Sequence, residues 1–248
     1  MIVILMPMAW CGTAFSQSSI PSQFMLGADL TMNINFFATS RLLPDAGPVP
    51  DYEQDFLGSM QGTSFGGSVL ADFPAGQNNF IELRSTLEEI QFDKADIVII
   101  PCKFYNSAGQ NVGSGPATTE QSQTVSFTYL TLGAEFLRMD GHIFGSIGTA
   151  LGPALENAYM LNSRIIIPDS CYYNYFGNSR SKTLHEEEEL TDLNYRIPLT
   201  IRLGILIPFA DRTYFAPSIG VNFGFFPINE SGSTVTSIQP AVGIRYIP

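Results

Sequence analysis

Side chains able to do chemistry are sparse in this sequence, so their spacing decides what they can do. The two histidines stand apart. His142 follows Asp140-Gly141 in a tight-turn sequence, and His185 directly precedes Glu186-Glu187-Glu188-Glu189. Hard divalent cations favour carboxylate oxygen, which makes the His185 segment the best metal candidate. A run of like charges is more often a solvated loop, and no metal is expected. No Ser-His-Asp spacing, phosphate-cradling glycine loop or Cys-His arrangement rises above chance, so neither catalysis nor a cofactor is expected. Cys102 and Cys171 close two similar segments, Val98-Ile99-Ile100-Pro101-Cys102 and Ile165-Ile166-Ile167-Pro168-Asp169-Ser170-Cys171. Neither has a His or second Cys at ligand spacing, which argues against zinc. A disulfide between them and two unrelated loop thiols are both open at this level.

The other candidates are single charges of both signs: Asp29, Asp72, Glu82, Arg84, Glu88, Arg196, Arg202 and Arg245. Each sits in a segment that alternates apolar and polar residues with period two, as a strand with one buried face does. Leu26, Ala28, Leu30, Met32, Ile34 and Phe36 share one face of the first segment, while Gly27, Asp29, Thr31, Asn33 and Asn35 share the other. The pattern returns in 193–207, 214–225 and 236–247, and more weakly in 63–73, 80–89, 124–138 and 143–155, giving eight strands. In 124–138 the apolar face switches from Val125, Phe127 and Tyr129 to Leu130, Leu132, Ala134 and Phe136, which a β-bulge near Tyr129 explains. Connections alternate between short, at 76–79, 139–141 and 210–212, and long, at 39–62, 93–123, 156–192 and 227–235.

Composition says what must position these strands. The 248-residue chain is 45% hydrophobic but only 14% charged, where a soluble domain carries roughly a quarter charged residues. No run reaches the ~18 to 20 apolar residues of a membrane-spanning helix, so the hydrophobicity must be spread over alternating strands. An even strand number, alternating connections and both ends on one side predict an all-β fold. It is an eight-stranded antiparallel up-and-down transmembrane β-barrel with short periplasmic turns and long extracellular loops. Eight strands enclose little room, so the large apolar residues face lipid and the Gly, Ser, Thr, Asn and charged residues turn inward. Buried charges are tolerable only when paired, and the eight charges therefore predict a cross-lumen ion-pair network that fills the lumen. A narrow ion-conducting channel and a lipid-modifying enzyme are the alternatives. The formal charge of -11 excludes nucleic acid as a partner.

Residues 2–10 form a short apolar run followed by Gly12, Thr13, Ala14 and Ser16, the pattern of a secretory signal. Ala14 and Ser16 supply the small residues of a cleavage site, which predicts a signal peptide over 1–16 and a barrel domain over 17–248. The run has no preceding Lys or Arg, as expected if the start codon is placed too far downstream or if the terminal amine alone serves as the charge. Bulky Trp10 before Cys11 argues against a lipoprotein anchor.

The chain resembles the small outer-membrane β-barrels of the OmpA-like and PorT-like type. The resemblance covers essentially the whole mature chain. It is carried by Ala14-Phe15-Ser16-Gln17, Gly66-Gly67, Tyr129-Leu130-Thr131-Leu132, Ile147-Gly148 and the closing Gly243-Ile244-Arg245-Tyr246. These are patterns rather than catalytic motifs, so they imply a fold and a location in the cell outer membrane, with outer-membrane lipid around the barrel. The ending Ile247-Pro248 departs from the terminal aromatic of many such barrels and leaves Tyr246 as the substitute. The expected role is structural or surface interaction, as a monomer, with any extracellular protein or surface partner met by the loops. Asp45, Asp51, Glu53 and Asp55 make the first loop acidic, and Tyr172, Tyr173, Tyr175 and Phe176 give the third an aromatic cluster. The second and third loops are expected to pair and to be stapled by Cys102 and Cys171.

Overall fold

The computed structural model describes residues 23–38, 60–106, 108–172, 179–187, 195–228 and 234–248. They form β1 (Met25–Ala38), β2 (Met60–Pro74), β3 (Asn79–Tyr105), β4 (Asn111–Asp140), β5 (Ile143–Leu151) and β6 (Ala154–Ile167). Then follow β7 (Ser181–Glu187), β8 (Leu199–Ile205), β9 (Ile207–Ala210), β10 (Thr213–Phe215), β11 (Ser218–Phe223) and β12 (Thr234–Tyr246). The order β1-β2-β3-β4-β5-β8-β11-β12 returns to β1, because β12 pairs with β1 from Leu26↔Tyr246 to Ala38↔Thr234. The result is a closed antiparallel barrel of eight strands. The remaining segments prolong these staves: β6 continues β5 along β4, β7 runs along β6 ahead of β8, and β9 and β10 carry β8 and β11 to their tight turn. Breaks fall beside Pro153 and Pro217, which have no N–H to donate to a ladder, and at Leu206.

Alternation sorts the residues as the sequence pattern requires. Leu30, Phe65, Leu87, Leu132, Ile147, Leu203, Ile219 and Val242, one from each of the eight barrel strands, are exposed on the outer wall. Asp29, Ser68, Arg84, Thr131, Glu135, Ser146, Arg202 and Gln239 are buried inside. Short turns at 75–78, 141–142 and 211–212 lie at the same end as Met25 and Tyr246.

At the opposite end the barrel is prolonged on one side. β3 and β4 pair continuously from Asn79↔Arg138 to Phe104↔Gly113, so the connection expected over 93–123 is itself a hairpin that lengthens two staves. Its tip is ordered by Asn106, whose side-chain oxygen accepts from the N–H groups of Ala108 and Gln110 at 3.0 Å each. Ile97, Val98, Ile99, Ile100, Phe104, Tyr105, Val112, Thr118 and Thr119 favour strand here, but the weak apolar alternation hides the strand from a periodicity reading. Much of 156–192 is likewise strand: His185, Glu186 and Glu187 lie on β7 rather than in a loop. The irregularity expected near Tyr129 is also relocated. β4 keeps its alternation past Tyr129, and the extra residue sits on the facing β6, where Ala154 and Glu156 oppose Tyr129 and Thr128. Val125, Phe127 and Tyr129 are apolar and inward because the lumen itself is apolar there.

Cys102 and Cys171 form a disulfide with Cα atoms 6.3 Å apart. The chain leaving β6 bypasses β4 and meets β3, where Tyr105 N–H donates to the Ser170 carbonyl at 2.9 Å. Cys102, Ala117, Ile165, Cys171 and Phe104 pack together at this junction. The expected signal peptide, the acidic residues Asp45 to Asp55 and the aromatic run 173–178 lie outside the described residues.

Two outcomes are expected. Non-reducing peptide mapping links the Cys102 and Cys171 peptides, whereas two free thiols would contradict the staple. Gly148 faces Glu135, and a Cβ there would stand 2.2 Å from the Ala134 carbonyl oxygen. Gly148→Val therefore lowers the unfolding free energy in lipid by about 1 to 3 kcal/mol, the usual cost of overpacking. An unchanged denaturant midpoint would show that the two strands do not approach this closely.

Candidate functional site

The inward charges occupy two levels of the lumen. At the first, Asp29 on β1 is gripped from both sides: Arg84 Nη1 on β3 lies 2.7 Å from Oδ2, and Arg245 Nη1 on β12 lies 2.6 Å from Oδ1. Arg84 also reaches Glu82 Oε1 at 2.7 Å and donates to Ser68 Oγ at 2.6 Å. Arg202 on β8 lies 3.5 Å from both Glu82 Oε1 and Glu135 Oε1. Asp72 on β2 has a single charged neighbour in this set of ion pairs, Arg245 Nε at 3.6 Å. Six of the eight sequence-predicted residues thus meet in one cluster.

Glu88 and Arg196 form the second level. They are ion-paired, Gln239 donates to Glu88 Oε2 at 3.4 Å, and the Arg196 guanidinium stands 5.7 Å from the centre of the Tyr129 ring. Arg196 is held by an isolated bridge to Gly152. Around this pair runs a neutral ladder: Gln239 to Asn33 at 2.9 Å, Ser237 to Asn35 at 2.8 Å and Asn35 to Ser64 at 2.9 Å.

Glu135 is the member that the sequence reading omitted. It accepts from Ser146 Oγ at 2.5 Å and faces Arg202. The alternation reaches it through Thr131 and Gly133, on the face opposite Leu130, Leu132, Ala134 and Phe136. Space for the carboxylates is also built in: Gly243 lies opposite Asp29, and a Cβ there would fall 1.9 Å from Asp29 Oδ1.

Both mouths of this polar chamber are closed by apolar side chains. Towards the turns, Met25, Phe80, Leu137, Met139, Phe144, Leu206, Ala216 and Ile247 form one buried cluster. Towards the extension, Phe37, Phe92, Phe127, Tyr129, Met60, Ile90 and Val235 belong to another. Between them a cavity of about 30 Å³ touches Ser68, Arg84, Glu88, Glu135 and Arg202, room for about one or two waters. Chemically the arrangement pairs charges and fills space, and among the described residues the two apolar clusters stand between the charges and either mouth. A wider hollow of about 660 Å³ lies in the outer wall among Leu30, Val69, Leu87, Leu130 and Phe215. His142 sits at a turn with Nδ1 3.0 Å from the Leu206 carbonyl oxygen, away from the chamber charges.

No protein-family model matches this chain, and no curated protein matches it in sequence. Among solved structures it is similar to Neisserial surface protein A, at 10% identity and TM-score 0.39, over 91% of this chain and 97% of that one. It is also similar to Ail, the attachment invasion locus protein of Yersinia pestis, at 10% identity and TM-score 0.36, over 90% and 99% of the two chains. The outer membrane protease OmpT from Escherichia coli aligns at 7% identity and TM-score 0.36, over 93% and 99%. The barrel assignment itself rests on the strand pairing, which closes at β1 and β12.

Proposed function

We propose that this chain is an integral outer-membrane β-barrel whose lumen is a filled structural core, and that it acts without catalysis through the sheet it raises outside the membrane. The observation that carries the reading is the pairing of a predominantly apolar outer wall with a charged lumen flanked by apolar clusters at both mouths. On β1 the outward apolar face runs from Leu26 to Phe36, matching the ~9 to 11 tilted residues that cross a bilayer. On β3 the outward face changes from Leu87 to Glu89, which sets the edge of the lipid zone, since charge facing mid-membrane costs about 2 to 4 kcal/mol. The turn end then faces the periplasm and the extension faces outward.

A catalytic use of the charge cluster requires a substrate to reach it, and both apolar clusters stand in the way. The extension is the accessible surface. It carries Ile97 and Ile99, each 70% exposed, together with Arg164 and Lys182, and the disulfide fixes its tip. Outer-membrane lipid surrounds the barrel, and an extracellular protein or surface partner meets the extension of a monomeric barrel.

In planar bilayers the purified protein gives no stepwise conductance; discrete steps would replace the filled-lumen reading with the channel. Lipid-reconstituted protein shows a heat-modifiable gel shift and a protease-protected core, and the loss of both removes the membrane assignment. Arg84→Met removes one of the two arginines on Asp29 and one of those on Glu82 and lowers the unfolding free energy by about 3 to 5 kcal/mol, as expected when a buried ion pair loses one partner. A change within about 0.5 kcal/mol, typical of exposed sites, would mean that the lumen is wet.

A further inference from the structure

The chamber does not balance its own charge. Among the described residues, five buried carboxyl groups, Asp29, Asp72, Glu82, Glu88 and Glu135, meet four buried guanidiniums, Arg84, Arg196, Arg202 and Arg245. Their compensation is unequal. Asp29 is bound by two arginines, Glu82 Oε1 by Arg84 and Arg202, Glu88 by Arg196 and Gln239, and Glu135 by Ser146 with Arg202 close by. Asp72 is fully buried, and neither of its carboxyl oxygens receives a hydrogen bond. Directly across the strand pair stands Glu82, whose Oε2 also lacks a donor. Two like charges at facing positions repel, and in a dry interior that repulsion is poorly screened.

We propose that Asp72 and Glu82 form a proton-binding site, in which one proton taken from solvent as the barrel closes is held on Asp72 and donated to Glu82 Oε2. One O–H···O bond supplies a donor between these two groups, and it brings the chamber to four negative and four positive charges. Among the described residues no group of three or more His, Cys, Asp or Glu is placed to hold a metal ion, and the chamber cavity is lined by Glu88 and Glu135 but not by Asp72 or Glu82. The groups that face the pair are Arg245 from β12, at 3.6 Å from each, Arg84 on β3, Arg202 on β8 and Asp29 on β1. Arg245 is already committed to Asp29 at 2.6 Å, which is why it leaves Asp72 under-compensated. The inference rests on the sealed lumen, which the conductance measurement tests separately.

The test is infrared spectroscopy of the full-length protein in phospholipid vesicles at neutral pH. Exposed carboxyls are ionised there, so a protonated-carboxyl stretch reports a buried group. The wild type is expected to show one such band that shifts in deuterated water, and Asp72→Asn is expected to remove it. Denaturant unfolding gives a second readout. Asp72→Asn, which keeps a neutral group of the same shape, leaves the midpoint unchanged or higher, whereas Asp29→Asn lowers it. A wild type without the band, a band that survives Asp72→Asn, or an Asp72→Asn midpoint that falls as far as that of Asp29→Asn overturns the proposal. If neither variant folds, the wild-type band and its shift with Glu82→Gln decide the matter: a band that is absent or does not move refutes the shared proton.

Discussion

Pairing of β1 with β12 is the contact on which the rest of the molecule depends. An open sheet of these strands would leave two unpaired edges and let each face choose its surroundings. Closure removes the edges, so each barrel strand has a partner strand on both sides, the condition that lipid imposes on any spanning sheet. It also commits each residue to one side. The Asp29–Arg245 ion pair, at 2.6 Å, joins the first strand to the last, and Gly243 on the last strand leaves the space that the Asp29 carboxylate occupies. Wall and filling are therefore specified together at the seam.

Once the wall is closed, the interior is too narrow to hold bulk water, and the polar residues inside must satisfy one another. Isolated ions would be intolerable there, whereas ions with several partners are not. The apolar clusters at the two mouths keep the interior dry, and dryness is what makes the pairing obligatory. The same dryness exposes the imbalance at Asp72, because a wet lumen would have hydrated an extra carboxylate without consequence.

Period-two alternation was enough to read the eight strands and six of the seven members of the charge cluster from the sequence. It works where one neighbour is lipid and the other a polar lumen, since the two faces then differ sharply, as in Leu26 to Phe36. It fails where that contrast disappears. Inside the mouths, Val125, Phe127 and Tyr129 are apolar and inward, which mimics a change of face and suggested a bulge on β4 that lies instead on β6. Above the lipid zone, Thr118, Glu120, Ser122, Thr124 and Ser126 of β4 point away from the lumen and are polar because water replaces lipid. β4 there has no apolar outer face to reveal it, and in β3 Ile97 to Ile100 are apolar on both faces and so do not alternate, which is why 93–123 read as a loop. The pairing of Glu88 with Arg196, 108 positions apart, depends on strand order and tilt rather than on any local signal.

The extension gains its character from being a continuation rather than an insertion. β3 and β4 run from the barrel wall into the extension with no break in register until Phe104. β6 keeps company with β4 through Ile167, and the disulfide returns the chain to β3. Its orientation is therefore inherited from the barrel instead of being set by flexible connections. On the proposed reading, a partner that docks on such a surface has less conformational freedom to freeze than one that docks on loose loops, and each contact it makes is worth more in affinity. That economy is available only because the barrel beneath is rigid, which returns the function of the outer sheet to the seam and the paired charges that hold the wall in shape.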